Sequence, residues 1–129
     1  MQRMAQKQQE QTASEQLVEA VVLGLQERKG INIAILDMRE LENSICKYFV
    51  ICEGESTTHV SAVADSVEEF AWKKVQDKPF HAEGHQSAQW VLIDFVDVVV
   101  HVFHKSVRHY YGLEELWADA PRTEIENLF

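Results

Sequence analysis

The run INIAILD, Ile31–Asp37, constrains the fold more than any other stretch of this chain. It is rich in β-branched residues and enclosed by Gly30 on one side and the polar pair Arg39 and Glu40 on the other. It is too short for a helix, so it reads as a strand. Its apolar residues form a nearly continuous block, and so do those of KYFVICE, Lys47–Glu53. Strands that are apolar on both faces must be covered on both faces, which places them inside a sheet flanked by other layers.

The covering layers are legible as helices. Thr12 and Glu15 form a T-x-x-E capping box, after which Leu17, Val18, Val21, Val22 and Leu25 recur on one helical face as far as Gly30. Ser56 can cap a second helix carrying Val60, Val63, Ala64, Val67, Phe70 and Ala71 at helical spacing, ended before Pro79. FHAEG at 80–84 reads as a short strand, and QWVLIDF and DVVVHVF as two adjacent strands joined by a tight turn. Tyr110, Leu113, Leu116 and Trp117 predict a short helix or two, broken at Gly112 and stopped by Pro121. The fold class is therefore α/β, a mixed central sheet flanked by helices. One domain is expected over 13–121, between a tail at 1–12, where MQRMAQKQQEQ has little to bury, and a second tail at 122–129.

Charge limits the partners. Lys and Arg number 12 against 21 Asp and Glu, a formal charge of −9, which repels phosphate backbones and suits a basic protein partner. Direct, sequence-specific nucleic-acid binding is disfavoured. No apolar stretch approaches the roughly 18–20 residues that cross a bilayer, so no membrane partner and a cytoplasmic location are expected. Cys46 and Cys52 lack the CxxC spacing of zinc or redox sites and are expected as buried thiols.

Candidates for chemistry are weak. Asp94 and Asp97 would suit a hard cation in a phosphoryl-transfer site, yet they flank the turn, where Asp satisfies local backbone N–H groups. His101 and His104 are three apart along a strand and so fall on opposite faces. The remaining histidines show no metal-ligand spacing. EGES, Glu53–Ser56, sits between a strand and a helix like a phosphate-binding turn, but two glutamates and the lack of a nearby lysine oppose that. A metal-dependent nucleotidyltransferase built from Asp94, Asp97 and this turn is the alternative function; otherwise no catalytic residue, metal or cofactor is expected. Trp72 is expected in the core. Trp90, Tyr110, Tyr111 and Trp117, with Arg108 among them, are of the residue types that fill cores and also anchor interfaces.

A resemblance decides between those two uses. NIAILDMRELE, YFVICEGES, HVSAVAD, WVLIDFVDVVVHVF and RHYYGLEELWADA, in this order, resemble the ribosomal silencing factor, or Iojap-like, family from Gly30 to Ala120. The resemblance implies an α/β sheet related to nucleotidyltransferases, no enzymatic activity, and binding to the large ribosomal subunit through its ribosomal protein fourteen. Binding there would block subunit joining and repress translation. It also implies a homodimer when free. Carried over residue by residue, it marks Trp90, His101, Arg108, Tyr111, Leu113, Glu114 and Trp117 as partner-binding, with Arg108 and Glu114 as polar contacts. Three positions depart from the family pattern. Val96 stands where a glycine is usual, so the turn is expected to change type or carry a bulge, because a β-branched residue disfavours positive φ. Lys47 replaces an aspartate, and Glu55 replaces a small polar residue.

Overall fold

The computed structural model describes residues 11–128. Helix α1 (Ala13–Glu27) starts at the expected capping box: the Glu15 N–H donates to Thr12 Oγ1 (3.1 Å) and the Thr12 N–H to Glu15 Oε1 (3.0 Å). Strands β1 (Ile31–Asp37) and β2 (Tyr48–Gly54) follow, then α2 (Thr57–Val75), capped by Ser56 Oγ accepting from the His59 N–H (3.0 Å). Strands β3 (His81–Glu83), β4 (Trp90–Asp94) and β5 (Val98–His104) lead to two one-turn helices, α3 (Arg108–Tyr111) and α4 (Leu113–Leu116), and a last strand β6 (Arg122–Glu124). Gly112, at φ 63°, separates the two short helices in the left-handed conformation glycine adopts without strain.

The six strands form one mixed sheet in the order β3-β4-β5-β2-β1-β6, in which β2 and β5 are parallel and every other pair is antiparallel. Alternation along the strands makes two cores. Tyr48, Val50, Cys52, Val91, Ile93, Val98, Val100 and Val102 pack under α1 and α2 against Leu17, Val21, Leu25, Val60, Val63 and Val67. Leu36, Phe49, Ile51, Val99 and Phe103 face the other way, beneath Met38 and Cys46 of the β1–β2 connection and Trp117 and Ala120 of the C-terminal segment. Burial of β2 on both faces is thus what its unbroken apolar sequence requires. The two helices approach closely at Gly24, whose backbone carbonyl accepts from Ser66 Oγ (2.7 Å) and where a Cβ would lie 2.8 Å from the Ser66 carbonyl oxygen.

Several expectations change. Residues 122–124, assigned to a tail, form β6 against β1; Leu36 and Ala34 offer the pairing edge, and the Ile125 N–H continues the ladder to the Ile33 carbonyl (2.9 Å). A three-residue strand of two charged residues and a threonine carries no apolar pattern to betray it. The tail expected at 1–12 lies, through residue 10, outside the described residues. Trp72 is half-exposed on α2, with Lys78 Nζ 4.9 Å from its ring centroid, instead of in the core. The helix's buried positions are Val60, Val63, Ala64, Ser66, Val67 and Ala71, and Trp72 falls outside that stripe.

The hairpin turn also departs from expectation. Val96 does not escape positive φ but adopts it, at 77°. The Asp97 N–H donates to the Phe95 carbonyl (3.0 Å), closing a three-residue turn centred on Val96, and the Val96 N–H donates to Asp94 Oδ1 (2.7 Å). Asp94 therefore has the turn-stabilising role read from its position. The replaced charge at Lys47 is answered by Asp97, whose Oδ2 lies 3.7 Å from Lys47 Nζ.

Candidate partner-binding face

Strand alternation brings Trp90 and Leu92 of β4 to the same face as Val99, His101 and Phe103 of β5, because Trp90 pairs with Phe103 and Leu92 with His101. Helix α3 then lays Tyr111 over them. Trp90 stacks on Phe103 (centroids 5.1 Å) and meets Tyr111 at 4.6 Å, while Phe49 touches His101 edge-on at 4.9 Å and Trp117 at 6.1 Å. The result is a continuous aromatic layer on the side of the sheet away from α1 and α2. Trp90, Leu113 and Trp117 are partly buried in it, whereas Tyr111, Tyr110 and Leu116 are exposed, the last two at 83% and 73%. The sequence reads Tyr110 as a core or interface residue but assigns no such role to Leu92 or Leu116; the period of two places Leu92 beside Trp90, and Leu116 adjoins Trp117.

His101 is buried under this layer with 3% of its surface exposed. Trp90 Nε1–H donates to its Nδ1 (3.1 Å), which puts the ring proton on Nε2, and Nε2 is buried without a hydrogen-bond partner among the described residues. Burial pushes its pKa down to about 4, so the imidazole is neutral near neutrality. His104 lies on the opposite face, as the spacing required, and its Nδ1 accepts from the Ser106 N–H (3.1 Å). His101 thus sets the orientation of Trp90 from beneath.

Arg108 is also inside, at 4% exposure. Its Nε and Nη2 donate to Glu114 Oε2 (2.9 Å) and Oε1 (3.0 Å), and its Nη1 to Glu53 Oε1 (3.0 Å) and the Asn32 carbonyl (2.7 Å). Burial opposes the guanidinium charge, but the two carboxylates outweigh it and raise the pKa. Hydrogen bonding to Arg108 holds the Glu114 carboxyl down at about 2, with Arg122 Nη1 adding a 2.6 Å bond. The Asn32 carbonyl is available because β1 carries a register irregularity between Ile31 and Ala34, with Asn32 at φ 53°. This cluster lines an open cleft of about 540 Å³, in which Arg108 and Arg122 pair with Glu53, Glu114 and Glu124. It fixes α3 and α4, and so Tyr111, Leu113 and Trp117, to β1 and β2. Arg108 and Glu114 form this lock, and the Arg108 guanidinium is spent on bonds within the chain.

The enzymatic alternative loses its geometry. In the parallel register Tyr48 pairs with Val98 and Gly54 with His104, so the Glu53–Ser56 turn and the Asp94–Asp97 hairpin stand at opposite ends of the sheet, roughly 20 Å apart at strand rise. Glu53 turns to Arg108, and the Glu55 N–H donates to His59 Nδ1 (3.0 Å). Among the described residues, no group of three or more His, Cys, Asp or Glu is placed to hold a metal ion. Cys46 and Cys52 are free and buried, and burial pushes both thiols up to about 12.

Comparison with known proteins agrees with the layout. A family model described as ribosomal silencing factor during starvation matches residues 10–129. A ribosomal silencing factor of Halalkalibacterium halodurans is 38% identical over 117 residues, covering 90% of this chain and 97% of the relative. One of Bacillus subtilis is 42% identical over 101 residues, covering 78% and 83%. The crystal structure of a Chromobacterium violaceum protein superposes with a TM-score of 0.76 at 35% identity, covering 84% of this chain and 88% of that one.

Proposed function

This chain belongs to the ribosomal silencing factor family, and on that premise we propose that it binds the large ribosomal subunit, through ribosomal protein fourteen, and blocks subunit joining. The observation that carries the reading is the aromatic layer itself. An acidic molecule of charge −9 presents Trp90, Tyr110, Tyr111, Leu113, Leu116 and Trp117 on one side of its sheet, a combination suited to a basic protein surface. In this scheme Trp90, Tyr111, Leu113 and Trp117 make the apolar contact and the rim of Glu114 a polar one. His101 and Arg108 act from beneath, holding Trp90 and the α3–α4 segment in place.

The action is steric and needs no chemical step. A surface occupied by this protein is closed to the small subunit, and the fraction blocked follows concentration relative to the dissociation constant. Translation falls accordingly in the cytoplasm. The free chain is a homodimer in this scheme, which sedimentation of the isolated protein measures. The deciding experiment is co-sedimentation with purified large subunits, with and without Trp90→Ala. A hot-spot tryptophan is worth about 2 kcal/mol or more, so the variant should bind roughly thirtyfold more weakly. Equal binding by both would remove Trp90 from the interface, and absence of wild-type binding would remove the function.

A further inference from the structure

The hairpin tip holds backbone strain. Val96 sits at φ 77°, a conformation that a β-branched side chain adopts only at a cost. The valine side chain belongs to neither core cluster and is 58% exposed, and the turn is held by groups that do not belong to it. The bonds are the Val96 N–H to Asp94 Oδ1 and the Asp97 N–H to the Phe95 carbonyl, which a glycine would make equally well. Beside it, the β1–β2 connection exposes Ile45 at 73%. The two segments are tied together by the Lys47 and Tyr48 N–H groups, both donating to the Asp97 carbonyl (2.8 and 3.0 Å).

We propose that Val96 and Ile45 form a second contact point, at which an apolar side chain on a basic surface of the large subunit seats against the hairpin tip. This rests on the large-subunit reading above. Charge supports the choice of occupant: Asp94 and Asp97 flank Val96, and among the described residues only Asp97 has a cation near it, the exposed Lys47 at 3.7 Å. Continuity supports it too. Asp94 pairs with Val99, and Val99 belongs to the same apolar cluster as Phe49 and Trp117, so the tip is the far end of the docking face and not a separate region. Backbone strain clusters at functional sites, and here the side chain that bears it is mostly exposed.

The test uses two readouts that should move in opposite directions. Val96→Gly relieves the strain, while the added freedom of glycine in the unfolded chain takes back part of the gain. Val96→Asn tolerates the left-handed conformation without that loss. Both full-length variants should melt about 2–5 °C higher than the wild type. In co-sedimentation with purified large subunits both should bind about tenfold more weakly. Ile45→Ser should show the same weakening with an unchanged melting temperature. Lower melting of both Val96 variants would overturn the strain argument, and unchanged binding by all three would overturn the contact. If the wild type itself fails to sediment with large subunits, the proposed function falls and this inference with it; if the wild type binds and the variants bind equally, only the tip is refuted.

Discussion

Lowering the pH through the histidine range should destabilise this protein through His101. The ring is 3% exposed and its pKa falls from 6.5 to about 4 because burial disfavours the imidazolium. A depressed folded-state value means that the unfolded chain takes up the proton first. The stability His101 contributes is therefore complete above about pH 6.5 and is lost progressively as the pH falls towards 4. With those two values, the linkage relation gives a loss of about 2 kcal/mol between roughly pH 7 and pH 5. That window lies above the range in which Glu114, Glu15, Glu69 and Asp37, all lowered, begin to take up protons. The comparison is with His101→Gln, whose amide oxygen can accept from Trp90 Nε1–H but does not titrate. Urea unfolding at each pH, followed by tryptophan fluorescence, should give a variant curve flatter by about 2 kcal/mol over this interval. Parallel curves would show that the ring is not held neutral by burial, and the account of Trp90's support would fail with it.

Two further predictions concern packing. Arg108→Met should destabilise the fold by about 3 kcal/mol or more in denaturant unfolding, since it leaves Glu53 and part of Glu114 buried without their cation; a loss below about 1 kcal/mol would mean that α3 and α4 are held by other contacts. Gly24→Ala should cost about 1–3 kcal/mol, because its Cβ would meet the Ser66 carbonyl at 2.8 Å and the Val67 Cα at 3.0 Å, both backbone atoms of the facing helix; an unchanged unfolding midpoint would show that the helices can part without penalty.

Much of the architecture was readable from near neighbours along the chain. Unbroken apolar runs marked β1 and β2, the Thr12 and Ser56 caps marked two helix starts, Gly112 the break between the last helices, and Asp94 the turn, because each is decided by residues within a few positions. The spacing of His101 and His104 likewise settled their opposite faces. Family likeness then marked Trp90, His101, Arg108 and Glu114 as partner-binding without saying what each touches within the chain.

Those contacts depend on segments far apart in sequence. Arg108 is buried because the register irregularity at Asn32 turns a carbonyl towards it, and because Glu53 stands at the end of β2 facing Glu114 of α4. His101 loses its solvent only when Trp90, Phe49 and Phe103 close around it from three strands. The short β6 exists because β1 presents an unpaired edge, and Val96 takes a positive φ in the turn that joins β4 to β5 in their register. Local pattern determines which residues form strands and helices, since its energy lies in the backbone and its immediate side chains. Which groups lose water, meet a counter-charge or bear strain is determined only when the sheet closes, since those energies depend on what the rest of the chain brings within a few ångströms.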